Sequence, residues 1–138
     1  MVVVLIIAIL IAIAIPQFLG ARQRAQDAGT KSDLRNALTA EKTSYTNTQV
    51  YTATTATLAA IEPSLKWNTA PGPNVTIGDV VAGDKQIVCI NETSKSGTIF
   101  AIYDVATGGA GVAGTYYNKG AVCQAAPTSA NAIASTGW

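Results

Sequence analysis

The chain opens on an unbroken run of apolar residues, Met1 to Ile15, which ends at Pro16. No other stretch of the sequence is so uniformly hydrophobic. The run is long for a strand, and a helix that is apolar on every side needs lipid or protein around it. Its large side chains after Met1 are Val2, Val3, Val4, Leu5, Ile6, Ile7, Ile9, Leu10, Ile11, Ile13 and Ile15. The pattern therefore predicts an apolar helix with an apolar surrounding.

The run is short for a membrane span. It makes about 22 Å of helix, whereas a hydrocarbon core is about 30 Å thick and needs about 20 residues. A signal-peptide core is disfavoured, because no basic segment precedes the run and no small-residue cleavage site follows it. A buried helix of a soluble domain is disfavoured too, because little other chain is present to surround it. We favour a membrane-inserted segment that can also pack against copies of itself.

Pro16 and Gly20 predict a weak point in this helix. Pro16 cannot donate a hydrogen bond to the carbonyl of Ala12, so we expect a kink or local melting there. From Gln17 to about Tyr45 small and apolar residues recur on one side among charged residues, which predicts an amphipathic helix. The apolar stripe is Ala21, Ala25, Ala28, Leu34, Ala37 and Leu38.

The sequence pattern over residues 46–138 predicts a small head domain. This domain begins with a threonine-rich loop and a helical turn over Leu58 to Ile61. Beyond it the hydrophobic period changes to that of short strands bounded by Gly, Asp, Asn and Ser. The predicted strands are Val75–Val81, Lys85–Asn91, Thr98–Val105 and Gly114–Asn118, with Gly78 and Asp79 favouring an early end to the first. We expect an antiparallel meander that packs one face on the amphipathic helix and leaves the other wet, hence an α+β class.

Composition argues against several kinds of function. Charged residues make up 12% of the chain, the formal net charge is +1, and histidine is absent. Clustered Lys and Arg of the nucleic-acid-binding kind are not evident, and the usual general base and commonest zinc ligand are missing. Asp79, Asp84 and Asp104 match no EF-hand spacing. We predict no catalytic site, no cofactor and no metal site.

The apolar run and the residues after it carry a resemblance. The segment VVVLIIAILIAIAIPQFLGARQRAQDA, and more broadly residues 1 to about 38, resembles the N-terminal helix of bacterial type IV pilins and the related pseudopilins. In that family the mature chain opens with phenylalanine, and a short segment containing a glutamate stands ahead of the part matched by Met1. Those residues are absent here, so we expect the natural N-terminus to lie upstream of Met1.

The resemblance implies a type IV pilin fold with three parts. These are an apolar membrane and filament-core helix at 1–16, an amphipathic helix at 17–45, and a globular head at 46–138. It also implies that the segment around Pro16 extends in the filament.

The implied function is that of a major pilin, the structural subunit of an extracellular filament at the bacterial cell surface used for adhesion, motility or DNA uptake. Its partners would be further copies of itself, the inner membrane before assembly, and the pilus assembly machinery. One alternative is a pseudopilin of a type II secretion or competence system. Another is a membrane-anchored monomeric binding or enzymatic domain.

The two cysteines of the chain, Cys89 and Cys123, are the remaining chemical feature. Outside the cytoplasm they can close a loop, which stabilises the fold by about 3 to 4 kcal/mol in the chain-entropy model. The alternative is two buried thiols acting as small apolar fillers. The resemblance and the implied location favour a disulfide.

Overall fold

A computed structural model of the chain describes residues 1–68, 71–80, 85–107, 112–120, 122–123 and 138. The elements follow in the order α1 (Val2–Thr48), α2 (Thr55–Ile61), β1 (Trp67–Asn68), β2 (Val75–Val80), β3 (Ile87–Thr93), β4 (Ile99–Val105) and β5 (Gly114–Lys119). One long N-terminal helix and a sheet confirm the predicted α+β class. This architecture is consistent with the type IV pilin fold.

The sheet has five strands in the order β1-β2-β3-β4-β5. The pairs from β2 to β5 are antiparallel, so the predicted meander is confirmed. The two-residue strand β1, which the sequence pattern did not predict, pairs in parallel with β2. Gly78 and Asp79 do not end β2, because the ladder absorbs them in a register shift between Ile77 and Asp79 and pairing continues to Val80.

The main core lies between the C-terminal part of α1 and one face of the sheet. Leu34 and Leu38 pack in one cluster with Ile90 of β3 and Phe100 of β4. Alternation along β3 explains why this face is apolar, since Val88 and Ile90 point the same way and both belong to this cluster. The helix therefore covers the middle of the sheet.

The opposite face of the central strands is also buried, which corrects the expectation that it would be wet. Cys89, Ala101 and Tyr103 form a second buried cluster, with Tyr116 and Cys123 packed against it. The alternation of apolar and polar residues is weak in β3 and β4, as expected for strands that are covered on both faces.

Helix α1 passes through Pro16 and Gly20 without interruption, so the expected local melting is not seen in the isolated chain. Proline removes one backbone donor, while the neighbouring residues keep their own. A methyl group added at Gly20 would meet no atom within 4 Å outside the adjoining helix backbone, so no described neighbour packs on the helix at this position. Extension of the segment in an assembled filament stays a prediction.

The helix ends three residues later than the predicted Tyr45, at Thr48. Hydroxyl groups of the threonine-rich stretch donate to carbonyls four residues earlier, for example from Thr43 to Thr39 and from Thr46 to Lys42. Because the threonine hydroxyls bond to carbonyls of the same helix, they do not draw the backbone into another conformation, and the helix continues through this stretch. Gln49 then adopts a left-handed conformation with φ 57°, which terminates the helix. The predicted helical turn before Pro63 is confirmed as α2.

Candidate functional site

The most unusual surface of the molecule is the N-terminal half of α1. The large side chains from Val2 to Ile15 that the sequence singled out are between 49% and 70% exposed. Phe18 and Leu19 continue this surface. We call Val2–Leu19 the apolar arm. Water is a poor solvent for a continuous surface of this kind, and surfaces of this size mark sites of protein or membrane interaction.

The apolar arm meets the length and composition criteria for a membrane-crossing helix. An 18-residue window within α1 has a mean hydropathy of 3.0, and none of it is buried by the rest of the chain. A core helix of a soluble domain would be largely covered, whereas no other part of the chain that the structure describes covers this window. A helical surface of this kind needs lipid or other protein around it.

The head domain packs on the part of α1 that follows the apolar arm. The buried residues of the helix all lie from Thr30 onward, and they are Thr30, Leu34, Ala37, Leu38, Ala40, Glu41 and Ser44. Of the predicted apolar stripe, Leu34, Ala37 and Leu38 are buried, whereas Ala21, Ala25 and Ala28 are exposed. This difference arises because the sheet covers only the C-terminal part of the helix. The hydroxyl of Ser96, in the β3–β4 turn, donates to Asp27 at 2.5 Å near the limit of this cover.

Asp104 ties three elements together at the far end of the head. It is buried at the end of β4 and accepts hydrogen bonds from the hydroxyl groups of Tyr51 and Thr115. Lys42 of α1 forms an ion pair with it at 3.0 Å. A buried carboxylate is tolerated where hydrogen bonds and a counter-charge surround it. Asp104 thus holds together α1, the segment after α1 that contains Tyr51, and β5.

Glu41 is the least expected residue of the helix–sheet interface, because its side chain is 0% exposed. Its Oε2 accepts a hydrogen bond from the backbone N–H of Thr52 at 3.2 Å, while Oε1 is buried and has no hydrogen-bond partner among the described residues. Burial raises the pKa of Glu41 to about 7, although the bond from Thr52 favours the charged form. In the sequence this residue looked like part of a polar helix face, and no local signal marked it.

Asp33 and Glu92 form a second group that sequence reasoning missed. Both line a groove between α1 and the segment that leads into β2. Burial, and after it the charge of Asp33, raises the pKa of Glu92 to about 7, and burial also raises the pKa of Asp33. The two residues are far apart in sequence, so only the packing of β3 on α1 brings them to one groove.

Cys89 and Cys123 form the predicted disulfide, with their Cα atoms 5.7 Å apart. Cys89 lies in β3 and is fully buried in the second cluster. The bond attaches the residues that come after β5 to the face of the sheet away from α1. The alternative of two buried free thiols is therefore excluded in this structure.

Trp138 packs on the face of the sheet that bears Phe100. Its ring meets the rings of Phe100 and Tyr117 edge-on, with centroids 5.8 Å and 4.8 Å away, and its Nε1 donates to the carbonyl of Ala101. The basic groups of Lys31 and Arg35 lie 5.7 Å and 5.3 Å from the indole. The aromatic ring therefore links β4, β5 and the exposed flank of α1.

Within the described ranges, no group of three or more His, Cys, Asp or Glu side chains is placed to hold a metal ion. Of the three aspartates weighed as ligands from the sequence, Asp104 is engaged by Tyr51, Thr115 and Lys42. Asp84 and the side chain of Asp79 lie outside the described residues.

No protein-family model, curated protein or solved structure matches the chain. The long apolar helix, the sheet packed on its second half and the disulfide are compatible with a pilin-like subunit.

Proposed function

We propose that this protein is the structural subunit of a type IV pilus, a major pilin that polymerises through the apolar arm into an extracellular filament. The observation that carries the proposal is the separation of α1 into two halves. From Thr30 onward one side of the helix is buried against the head, whereas none of the described residues outside α1 covers the arm. A membrane anchor needs an apolar helix, but a filament subunit also needs that helix rigidly continuous with the head, as α1 is.

The arm has two successive apolar environments in this proposal. Before assembly it lies in the inner membrane, and after assembly it packs against the arms of neighbouring copies. Burying its large side chains supplies well over about 10 kcal/mol of gross hydrophobic stabilisation relative to water. Relative to lipid the gain is much smaller, so extraction requires an energy-driven assembly machine.

The geometry of assembly follows from the asymmetry of the subunit. In the proposed filament the arms of all copies point the same way, so each copy presents one surface to the copy below it and a different surface to the copy above it. Repetition by a rotation and a rise gives a heterologous interface that does not close, which produces a filament instead of a ring. The head is then displayed outside, where an oxidising surrounding maintains the Cys89–Cys123 bond.

The test is assembly of the full chain in a bacterial cell that carries type IV assembly machinery but no pilin of its own. We expect long surface filaments by electron microscopy, with this chain as the main component of sheared material by mass spectrometry. The double substitution Ile6→Ala and Leu10→Ala keeps the arm helical and free of polar groups, so membrane insertion is retained while packing volume is lost. It should sharply reduce filament number.

Val112→Ala is the matched control, since Val112 is an exposed apolar side chain of the head, 65% exposed. It should leave filaments unchanged. Only short periplasmic assemblies would favour a pseudopilin of a secretion or competence system instead. A chain that stays monomeric in the membrane despite expression would point to an anchored binding or enzymatic domain, and the filament proposal would then be wrong.

A further inference from the structure

Exposed basic side chains gather at the end of the head from which the apolar arm emerges. Arg22 and Arg24 follow the arm on α1, while Lys95 lies in the β3–β4 turn and Lys119 ends β5. The side chains of these residues are all exposed. We call Arg22, Arg24, Lys95 and Lys119 the basic collar. The two arginines are about 200° apart around the helix axis, so they lie on different sides of it.

The β3–β4 turn packs against α1 just after the arm, and this contact places Lys95 beside the helix. The hydroxyl of Ser96, the next residue, donates to Asp27 at 2.5 Å. Lys95 also lines one hollow together with Arg22. The collar therefore joins residues of the sheet to residues of the helix at one end of the head.

Lys119 reaches the same end of the head from β5. It pairs with Phe100 at the start of β4, next to the turn. Its charge acts on Asp27 as well. Burial acts to raise the pKa of Asp27, but hydrogen bonds from the serines of the turn and the nearby lysine charges outweigh it and hold the pKa below its ordinary value.

The acids near the collar are less exposed than its basic groups. Asp27 and Asp33 are half-buried, and Glu92 is buried. Lys66 is exposed and lines the hollow beside Lys95, which adds to the positive charge. Among the described residues, no carboxylate lies within 4 Å of a basic group of the collar. The exposed charge at this end of the head is therefore positive and is not neutralised by ion pairs there.

We propose that the basic collar binds the headgroups of anionic phospholipids while the apolar arm lies in the membrane. The inference rests on the membrane-inserted state of the proposed pilin. From Val2 to Leu19 the arm makes about 26 Å of helix, which fills most of a hydrocarbon core about 30 Å thick. Arg22 and Arg24 follow within about 8 Å of the end of the arm, which is the depth of the headgroup layer.

The side chains of the collar suit phosphate groups. An arginine guanidinium can hold a phosphate through two parallel hydrogen bonds, and a lysine ammonium attracts it as a point charge. Juxtamembrane Lys and Arg are attracted to an anionic membrane surface within about one Debye length, about 10 Å at 0.1 M salt. Because the collar includes residues of α1 and of the sheet, lipid contact holds the head as well as the arm at the membrane.

An acidic surface on a neighbouring copy of the chain is the competing occupant of the collar. Charge complementarity favours lipid, because none of the acidic side chains that the structure describes is fully exposed. A second copy thus offers the collar little negative charge from this part of the chain. The collar is also continuous with the arm, which itself needs an apolar surrounding.

The test uses the full chain reconstituted in phosphatidylcholine vesicles that carry trace amounts of spin-labelled lipid. Electron paramagnetic resonance gives the ratio of the association constants of labelled phosphatidylglycerol and labelled phosphatidylcholine at the protein. We expect about a fivefold preference for phosphatidylglycerol at about 20 mM NaCl, falling toward equal binding at about 0.5 M. The double substitutions Arg22→Gln with Arg24→Gln, and Lys95→Gln with Lys119→Gln, should each lower the low-salt preference at least twofold.

Lys85→Gln is the matched control. Lys85 is an exposed lysine at the other end of the head, where its carbonyl accepts the Tyr51 N–H. This variant should keep the wild-type preference. Equal binding of the two lipids to the wild-type chain, or a preference that salt does not weaken, would overturn the proposal. So would a preference that survives replacement of Lys95 and Lys119, or one that Lys85→Gln lowers as much.

Flotation of the vesicles and resistance to alkaline carbonate check that each variant is inserted. A wild-type chain that does not insert would overturn both this inference and the proposed function. An inserted chain without lipid preference would overturn this inference alone, because filament assembly plays no part in the measurement.

Discussion

Tyr51 donates its phenolic hydrogen to Asp104, and this contact joins the segment after α1 to the end of β4. Both residues are buried. The Tyr51 ring also packs on Tyr45 of the helix, with the ring centroids 4.8 Å apart. Because the backbone N–H of Tyr51 donates to the carbonyl of Lys85 at 2.8 Å, the helix, the connecting segment and the sheet are fastened at one place.

Tyr51→Phe should lower the free energy of unfolding by about 1.5 to 3 kcal/mol, the range for a hydrogen bond to a charged group. The ring and its contact with Tyr45 are retained, so the loss reports the hydroxyl alone. Chemical denaturation of the full chain in detergent measures it. Tyr45→Phe is the matched control, because the hydroxyl of Tyr45 donates to the neutral amide of Gln86. It should cost less, about 0.5 to 1.5 kcal/mol. Equal losses in the two variants would contradict the role assigned to Asp104.

Glu41→Gln should make stability less dependent on pH. The pKa of Glu41 is about 7 in the folded chain against an ordinary value of 4.5. Between these two pH values the folded state keeps the Glu41 proton, which the unfolded state has released. The contribution of Glu41 to the free energy of unfolding is therefore fully present below about pH 4.5 and is lost as the pH rises to about 7. Glutamine keeps the acceptor for the Thr52 N–H and cannot ionise.

The measured quantity is the difference in unfolding free energy between Glu41→Gln and the wild-type chain. It should shift in favour of the variant by about 3 kcal/mol from pH 4 to pH 8. Glu92 titrates in the same window in both chains, so its contribution cancels in the difference. A difference that stays constant with pH would show that Glu41 is not buried against the sheet.

Loss of the disulfide should destabilise the head. Reduction of the wild-type chain, or the double substitution Cys89→Ala and Cys123→Ala, is expected to cost about 3 to 4 kcal/mol of unfolding free energy. Alkylation with mass spectrometry checks the starting state, in which neither thiol should react before reduction. Two reactive thiols in the unreduced chain would contradict the bond.

Trp138→Ala should cost about 2 kcal/mol, less than the 3 to 5 kcal/mol of a fully buried aromatic because the indole is partly exposed. Trp138→Phe keeps an aromatic ring against Phe100 and Tyr117 but loses the donor to Ala101, so its cost should be near 1 kcal/mol. Thermal unfolding monitored by circular dichroism separates the two. If Trp138→Ala is as stable as the wild-type chain, the ring does not pack on the sheet.

Local patterns predicted the helices and strands of this protein apart from the two-residue strand β1. A run without polar side chains from Met1 to Ile15 demands an apolar surrounding, whatever the rest of the chain does. The strands that were predicted from β-branched and aromatic runs each lie within two residues of those observed. The disulfide was favoured by the resemblance and by the location that it implies, because the two cysteines alone left free thiols open. The helices and strands depend on neighbouring residues, which a sequence displays directly.

The packing of helix on sheet decided the rest. Whether Ala25 is buried and Glu41 exposed, or the reverse, depends on how far the sheet reaches along α1, and no residue of the helix encodes that reach. Asp33 and Glu92 line one groove, and Asp104 contacts Tyr51, Thr115 and Lys42, only because distant segments are brought together. Such groups acquire their charge state and partners from burial, which is a property of the folded chain and not of the local sequence.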